Sequence, residues 1–204
     1  KDEWSISFPN ISGRKCLPTL HPASALYGGS YINIHYISHD ILKAVAHSDT
    51  PEIKYREMTL ALPDSLGTVI QALKDVANWS LIGFDLEVIN YEISCISFSN
   101  GDISYSIPLD KIWTEYEETI LWQMIAAILE NPVTTKVIQN SIFDKYILLD
   151  RMKIVVQGEV KDTMLAHSIL YPDFKKSLAF LGSIYDNVPY WKDMVHFKNI
   201  KEES

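Results

Sequence analysis

From residue 64 onward, apolar positions recur with two periods. Leu66, Val69, Ile70, Leu73 and Val76 return every three or four residues behind Asp64-Ser65. A helix is expected from there to about Ala77, with Asp64 or Ser65 as its N-cap. Trp79–Val88 reads as a strand, and its stretch Leu81-Ile82-Gly83-Phe84 is nearly continuously apolar, as in a central strand covered on both faces. Glu92–Phe98 and Ile103–Leu109 come next as strands. Asn100-Gly101 between them is a hairpin turn, so the two should be antiparallel neighbours. Thr114–Leu129 has the pattern of an amphipathic helix and opens on a Thr114/Glu117 capping box. Lys136–Gln139 is a short strand, Ser141–Met152 a helix, and Ile154–Val160 a strand broken at Gly158. Thr163–Leu170 and Phe174–Ile184 are helices parted by Tyr171-Pro172. This order implies an α/β sheet of about five strands flanked by helices.

Residues 1–60 differ in character. They are rich in His, Ser, Pro and Gly and offer one clear helix, His39–His47, with Ile41, Leu42, Val45 and Ala46 on its apolar side. The expected division is a small extension over 1–60 and a main domain over 61–204.

Composition narrows the picture only a little. At 47% hydrophobic and 22% charged, the 204 residues are ordinary for a globular chain. The net charge of −8 argues against a protein that grips nucleic acid by charge alone. That objection weakens if the excess acid gathers in a metal site, because bound cations reverse the local sign. Two distant cysteines, Cys16 and Cys95, make no zinc spacing and are read as reduced and buried. No apolar run reaches the length of a membrane helix, and Lys1-Asp2-Glu3-Trp4 has no signal-peptide pattern. The expectation is a cytoplasmic protein with no membrane partner. The missing initiator Met fits a fragment of a longer protein.

The candidate chemistry is acidic. Phe84-Asp85-Leu86-Glu87 sets two carboxylates two residues apart, hence on one face, at the end of the most apolar strand. Ionised groups there are costly unless paired or coordinated, and hard divalent cations take such oxygens. Alone, the pair is more often a solvated strand end. Asn140-Ser141-Ile142-Phe143-Asp144 begins where the strand around Val137-Ile138 ends; its plain reading is a helix start with Asn140 as N-cap. Tyr190-Trp191-Lys192-Asp193 puts a phenol and a carboxylate within one turn, which by itself reads as a surface turn.

Taken together and in order, these three stretches resemble the exonuclease motifs of the DEDD superfamily, the ribonuclease H-like 3′→5′ exonucleases. The resemblance is nearest to the exonuclease domain of family A, phage-type DNA polymerases. Lys161-Asp162-Thr163-Met164, Ala166-His167, Leu178 to Leu181, and Tyr185 before Pro189-Tyr190 add to it, over roughly residues 64–195. It implies a ribonuclease H-like mixed sheet flanked by helices. It also implies that Asp85, Glu87, Asp144 and Asp193 bind two Mg²⁺ or Mn²⁺ ions and that Tyr190 orients the attacking water. The substrate it implies is a single-stranded or frayed DNA 3′ end, with Asn140 and Phe143 as contacts; Phe143 is equally placed to be core. A polymerase domain in the same polypeptide or complex would be its partner. Val188, five before Asp193, rules out the branch of the family that uses His there. Tyr190 stands three before Asp193, where the Tyr branch has its Tyr four before. A catalytically silent exonuclease-like module that binds nucleic acid or a polymerase is the alternative. Asp162 is expected to support a helix start, and His167 to be a packed core histidine.

Gly13 to Ala23, with His21-Pro22-Ala23, resembles the end of a uracil-DNA-glycosylase-like domain, in which such a His contacts a flipped base. The water-activating acid of that family is absent, so residues 1–60 are expected to be a remnant or interface without glycosylase activity.

Overall fold

A computed structural model of the chain describes residues 15–26, 30–52, 57–110 and 113–186. Their contacts divide it into two compact units: Glu57–Ala166, and a second made by residues up to Arg56 with those from His167 onward.

The first unit is built on one mixed six-stranded sheet. Its strands are β1 (Thr59–Ala61), β2 (Leu81–Ile89), β3 (Glu92–Ser99), β4 (Ile103–Pro108), β5 (Thr135–Ile138) and β6 (Val160–Asp162). Their spatial order is β1-β4-β3-β2-β5-β6. The β2–β3–β4 meander is antiparallel, as the Asn100-Gly101 turn requires, with Gly101 at φ 99° and the Asn100 side chain accepting the Asp102 and Ile103 N–H groups. β5 adds parallel to β2, β6 parallel to β5, and β1 parallel to β4.

Four helices belong with the sheet: α2 (Leu66–Ala77), α3 (Glu115–Leu129), α4 (Ser141–Ile147) and the start of α5 (Thr163–Leu170). Two of them open on the side chains expected. Ser65 caps α2, and Thr114 with Glu117 forms a reciprocal box on α3. Val69, Leu73 and Val76 of α2 and Leu121, Ile125 and Leu129 of α3 are buried against Ile82, Ile96, Phe98 and Ile107 of the sheet. This is the α/β, ribonuclease H-like layer arrangement anticipated.

Four details differ from expectation. The sheet has six strands, because the weakly patterned Thr59–Ala61 pairs along β4 as a three-residue edge. Ile154–Val160 is not a strand: Ile154 and Val156 are buried in the core, but only Val160–Asp162 reach β5. The helix over Ser141–Met152 widens to a π turn at Leu148–Met152. β2 is not covered on both faces; Ile82, Phe84 and Leu86 are buried while Leu81, Asp85 and Glu87 are exposed.

The second unit contains a short 3₁₀ turn (Pro22–Ala25), α1 (Ile32–Ala46), the end of α5 and α6 (Leu178–Tyr185). α1 is longer than the predicted His39–His47. Tyr36, Phe174, Phe180 and Leu181 pack as a small cluster, in which His167 is 2% exposed among rings and its Nδ1 lies 2.9 Å from the Tyr185 hydroxyl. The expected packed histidine is therefore found. Cys16 and Cys95 are half-buried rather than buried. No helix among the described residues is long and apolar enough to cross a membrane.

Candidate active site

Asp85 and Glu87 owe their position to the alternation of β2. Phe84 and Leu86 fill the core, so the acids between and after them face outward. Directly after Glu87 the pairing slips by a β-bulge on β3, where Ser94 is the extra residue between the partners of Glu87 and Val88.

Asp144 arrives from the other side. β5 pairs with β2 only as far as Gly83↔Val137, so Leu86 lies beyond the end of β5 and its N–H has no strand to bond on that side. Asp144, in the first turns of α4 and 3% exposed, fills the gap: its Oδ1 accepts the Leu86 N–H at 3.1 Å. The residue between the two β2 acids is thus tied to the third acid. The site lies past the carboxyl ends of the parallel strands, where open α/β sheets commonly bind ligands.

What starts α4 is Asp162, not Asn140. Asn140 occupies the N-cap position at φ 60° and makes no side-chain cap. The Asp162 carboxylate instead takes the N–H groups of Ser141 (2.7 Å) and Asn140 (3.3 Å), and on α5 those of Met164 (2.9 Å) and Leu165 (3.1 Å). One side chain therefore satisfies the starts of two helices, as expected of it but twice over. Burial raises its pKa, but these N–H groups more than offset that, and the net shift is downward.

The other acids shift the opposite way. Burial, and next the charge of Asp85, push Asp144 up to about 6, with the Leu86 N–H opposing. Burial and then Glu87 raise Asp85. Like charges are crowded here. The donors are carboxylates without nitrogen or sulfur, the set that a hard divalent cation takes. In donor type the residues fit Mg²⁺ or Mn²⁺, although no three His, Cys, Asp or Glu among the described residues close into a metal cluster.

Of the remaining expected site residues, Phe143 is 47% exposed, so it is not core, and Asn140 is exposed beside it. Tyr190 and Asp193 lie outside the described residues. His21 is exposed, its ring accepting the Ala23 N–H to cap the 3₁₀ turn. A cavity of about 480 Å³ lined by Asn90, Glu92, Asp110, Glu118, Trp122 and Arg151 does not include the acid site. Sequence patterning missed Tyr91, Tyr146, Asp150 and Arg151, which form a bonded group joining the turn after β2 to α4 and its π turn. The two-residue Asn90-Tyr91 turn was the only local signal for it.

A ribonuclease H-like sheet with carboxylates gathered where β2 passes the end of β5 is an exonuclease-type architecture. The chain belongs to the 3′-5′ exonuclease family, whose model matches residues 63–196. Among curated proteins, none matches at a significant level. Solved structures share the fold at low identity. Escherichia coli RNase D, an exoribonuclease involved in structured RNA processing, matches with TM-score 0.51 and 18% identity over 70% of this chain and 36% of that one. The catalytic core of RRP6 from Trypanosoma brucei matches with TM-score 0.54 and 17% identity over 74% and 44%. The Aedes aegypti Nibbler EXO domain gives 0.47 and 19% over 60% and 62%. The chain thus spans less than two thirds of each of these structures.

Proposed function

We propose that this chain is a metal-dependent 3′→5′ exonuclease of the DEDD type acting on a DNA 3′ end, as the proofreading part of a phage-type polymerase. The observation that carries the reading is the Leu86 N–H bond to Asp144, which brings a buried acid up to the β2 acids. Asp85, Glu87, Asp144 and Asp193 would hold the metal, with Asp85 shared. Two Mg²⁺ or Mn²⁺ ions bound there would supply an activated water and stabilise the leaving 3′ oxygen. Leu86 fixes the Asp144 carboxylate, Asp162 fixes the start of the helix that carries it, and Tyr190 orients the water. Asn140 and Phe143, exposed on α4's first turn, contact the terminal nucleotides. Residues 61–204 form the exonuclease domain and residues 1–60 a glycosylase-like remnant. His21 is exposed, and its ring caps its own turn.

A second reading is an RNA end as substrate. It is favoured by the fold shared with RNase D, whose described activity is exoribonucleolytic.

The test is incubation with 3′-labelled single strands of DNA and of RNA, with Mn²⁺ or with EDTA, for the unmodified protein and Asp85→Ala. Mononucleotide release only by the unmodified protein with metal supports the exonuclease, and the preferred strand decides between DNA and RNA. Release in EDTA, or by Asp85→Ala, defeats it. Binding without cleavage in Mn²⁺ identifies a silent module.

A further inference from the structure

The acids leave a neighbouring group of side chains unexplained. β2 ends in Ile89 and turns through Asn90 and Tyr91, both at positive φ (50° and 67°), a region that a tyrosine rarely enters. Tyr91 is held there from α4 and its π turn. Its hydroxyl donates to Asp150 Oδ2 at 3.2 Å and lies 3.0 Å from the Tyr146 hydroxyl. The Arg151 guanidinium stands 5.6 Å from the Tyr91 ring centroid. The strand that carries Asp85 and Glu87 and the helix that carries Asp144 are therefore joined twice, once at Leu86–Asp144 and once at Tyr91–Tyr146.

Phe143, Tyr146 and Asp150 are spaced i, i+3, i+7 along α4 and its π turn, close to one helix face. Phe143 and Tyr91 are each 47% exposed and Tyr146 is 54% exposed. Exposed aromatic rings fixed by strained backbone and a hydrogen-bonded carboxylate are specified in position without being used for packing. The chain's charge of −8 also means that phosphate neutralisation cannot supply much of its affinity for a nucleic acid. Base stacking on aromatic faces can supply it, tolerates any sequence, and does not depend on charge.

We propose that Tyr91 and Tyr146, backed by Arg151, form a stacking platform for the bases of a single-stranded nucleic acid whose 3′ end lies at Asp85, Glu87 and Asp144. This rests on the exonuclease reading and names where its substrate strand runs. Tyr91 stands four residues past Glu87, at most ~13 Å along the chain at ~3.3 Å per residue, because β2 ends at Ile89 and then turns. The platform therefore meets nucleotides upstream of the end, and an octamer engages it more fully than a dinucleotide.

The experiment measures kcat and KM on 3′-labelled oligothymidylate, as dinucleotide and as octamer, for the unmodified protein and for Tyr91→Ala, Tyr146→Ala, Tyr91→Phe and Tyr146→Phe. The Ala variants should raise the octamer KM about tenfold, in the range of one lost base stack, raise the dinucleotide KM less, and leave kcat unchanged. The Phe variants keep the ring and lose the hydroxyl, and should stay within about twofold of the unmodified protein. Unchanged octamer KM in the Ala variants overturns the platform; so does a Phe variant as impaired as its Ala counterpart, which would make the hydroxyl network the point. If no substrate is cleaved, fluorescence anisotropy of the labelled octamer decides. The same Ala–Phe contrast in Kd sustains the platform while the exonuclease reading fails, and no octamer binding overturns both.

Discussion

Asp162 Oδ2 accepts the Ser141 N–H at 2.7 Å, although the two residues lie 21 positions apart. Through that bond and those to Asn140, Met164 and Leu165, the last residue of β6 decides where α4 begins, and so where Asp144 sits. Asp162→Ala should lower stability by about 2 kcal/mol, since each lost cap costs ~1 kcal/mol. At this chain length that is roughly 4–8 °C in Tm by calorimetry. Because the folded pKa lies below the ordinary 3.8, the stabilisation is present above that value and is lost as pH falls through the lower folded value. Asp162→Asn should flatten the acid limb of the stability curve.

Asp144 has the reverse linkage. Its folded pKa of about 6 exceeds the ordinary 3.8, so the metal-free protein loses stability as pH rises from about 4 to about 6 and does not regain it above. Asp144→Asn can still accept the Leu86 N–H but carries no charge. In EDTA at pH 7.5 it should be more stable than the unmodified protein by about 3 kcal/mol, at ~1.4 kcal/mol per pKa unit, and the difference should vanish near pH 4. The same variant should cleave no 3′ end. A lower Tm than the unmodified protein under these conditions contradicts the like-charge account.

Metal should act with the opposite sign. Mn²⁺ at about a hundred times its Kd should raise stability by about 2.7 kcal/mol in the unmodified protein and much less in Asp144→Asn, since binding to the folded state alone shifts the equilibrium by mass action. Thermal melts at increasing Mn²⁺ measure this, and EDTA should reverse it.

Gly158 has no room for a side chain. It sits at φ +84°, and a Cβ there would stand 2.7 Å from the Thr134 carbonyl oxygen and 2.8 Å from that of Pro132. Gly158→Ala should cost more than about 2 kcal/mol in urea denaturation, combining a forbidden backbone region with two close oxygens. The neighbouring Lys136 is fully buried and directs its ammonium to the carbonyls of Asn131 and Gln157. Lys136→Met should lose about 2 kcal/mol for the carbonyls left unpaired.

Local chemistry made much of this fold readable in advance. Asn100-Gly101 fixed the antiparallel pairing of β3 and β4, and Ser65 and the Thr114/Glu117 box fixed two helix starts, because turn type and cap depend on a few adjacent residues. What escaped depends on distant partners. Thr59–Ala61 is a strand only because β4 lies beside it, and Ile154 with Val156 are apolar because they fill the core, without pairing. At the site, the order of the acids pointed to Asp85, Glu87 and Asp144, but the Leu86 N–H that joins them could not be foreseen, since it depends on where β5 stops. Tyr91 and Tyr146 were invisible for the same reason, being 55 positions apart and joined only across the fold.

Both rims of the sheet are three residues long, β1 at one side and β6 at the other. A rim that short offers a visiting chain almost no row of free amides and carbonyls to copy, so strand-by-strand growth into fibrils has little to template on. Concentrated solutions of the folded protein should therefore resist amyloid-type assembly without needing charged guards along those margins.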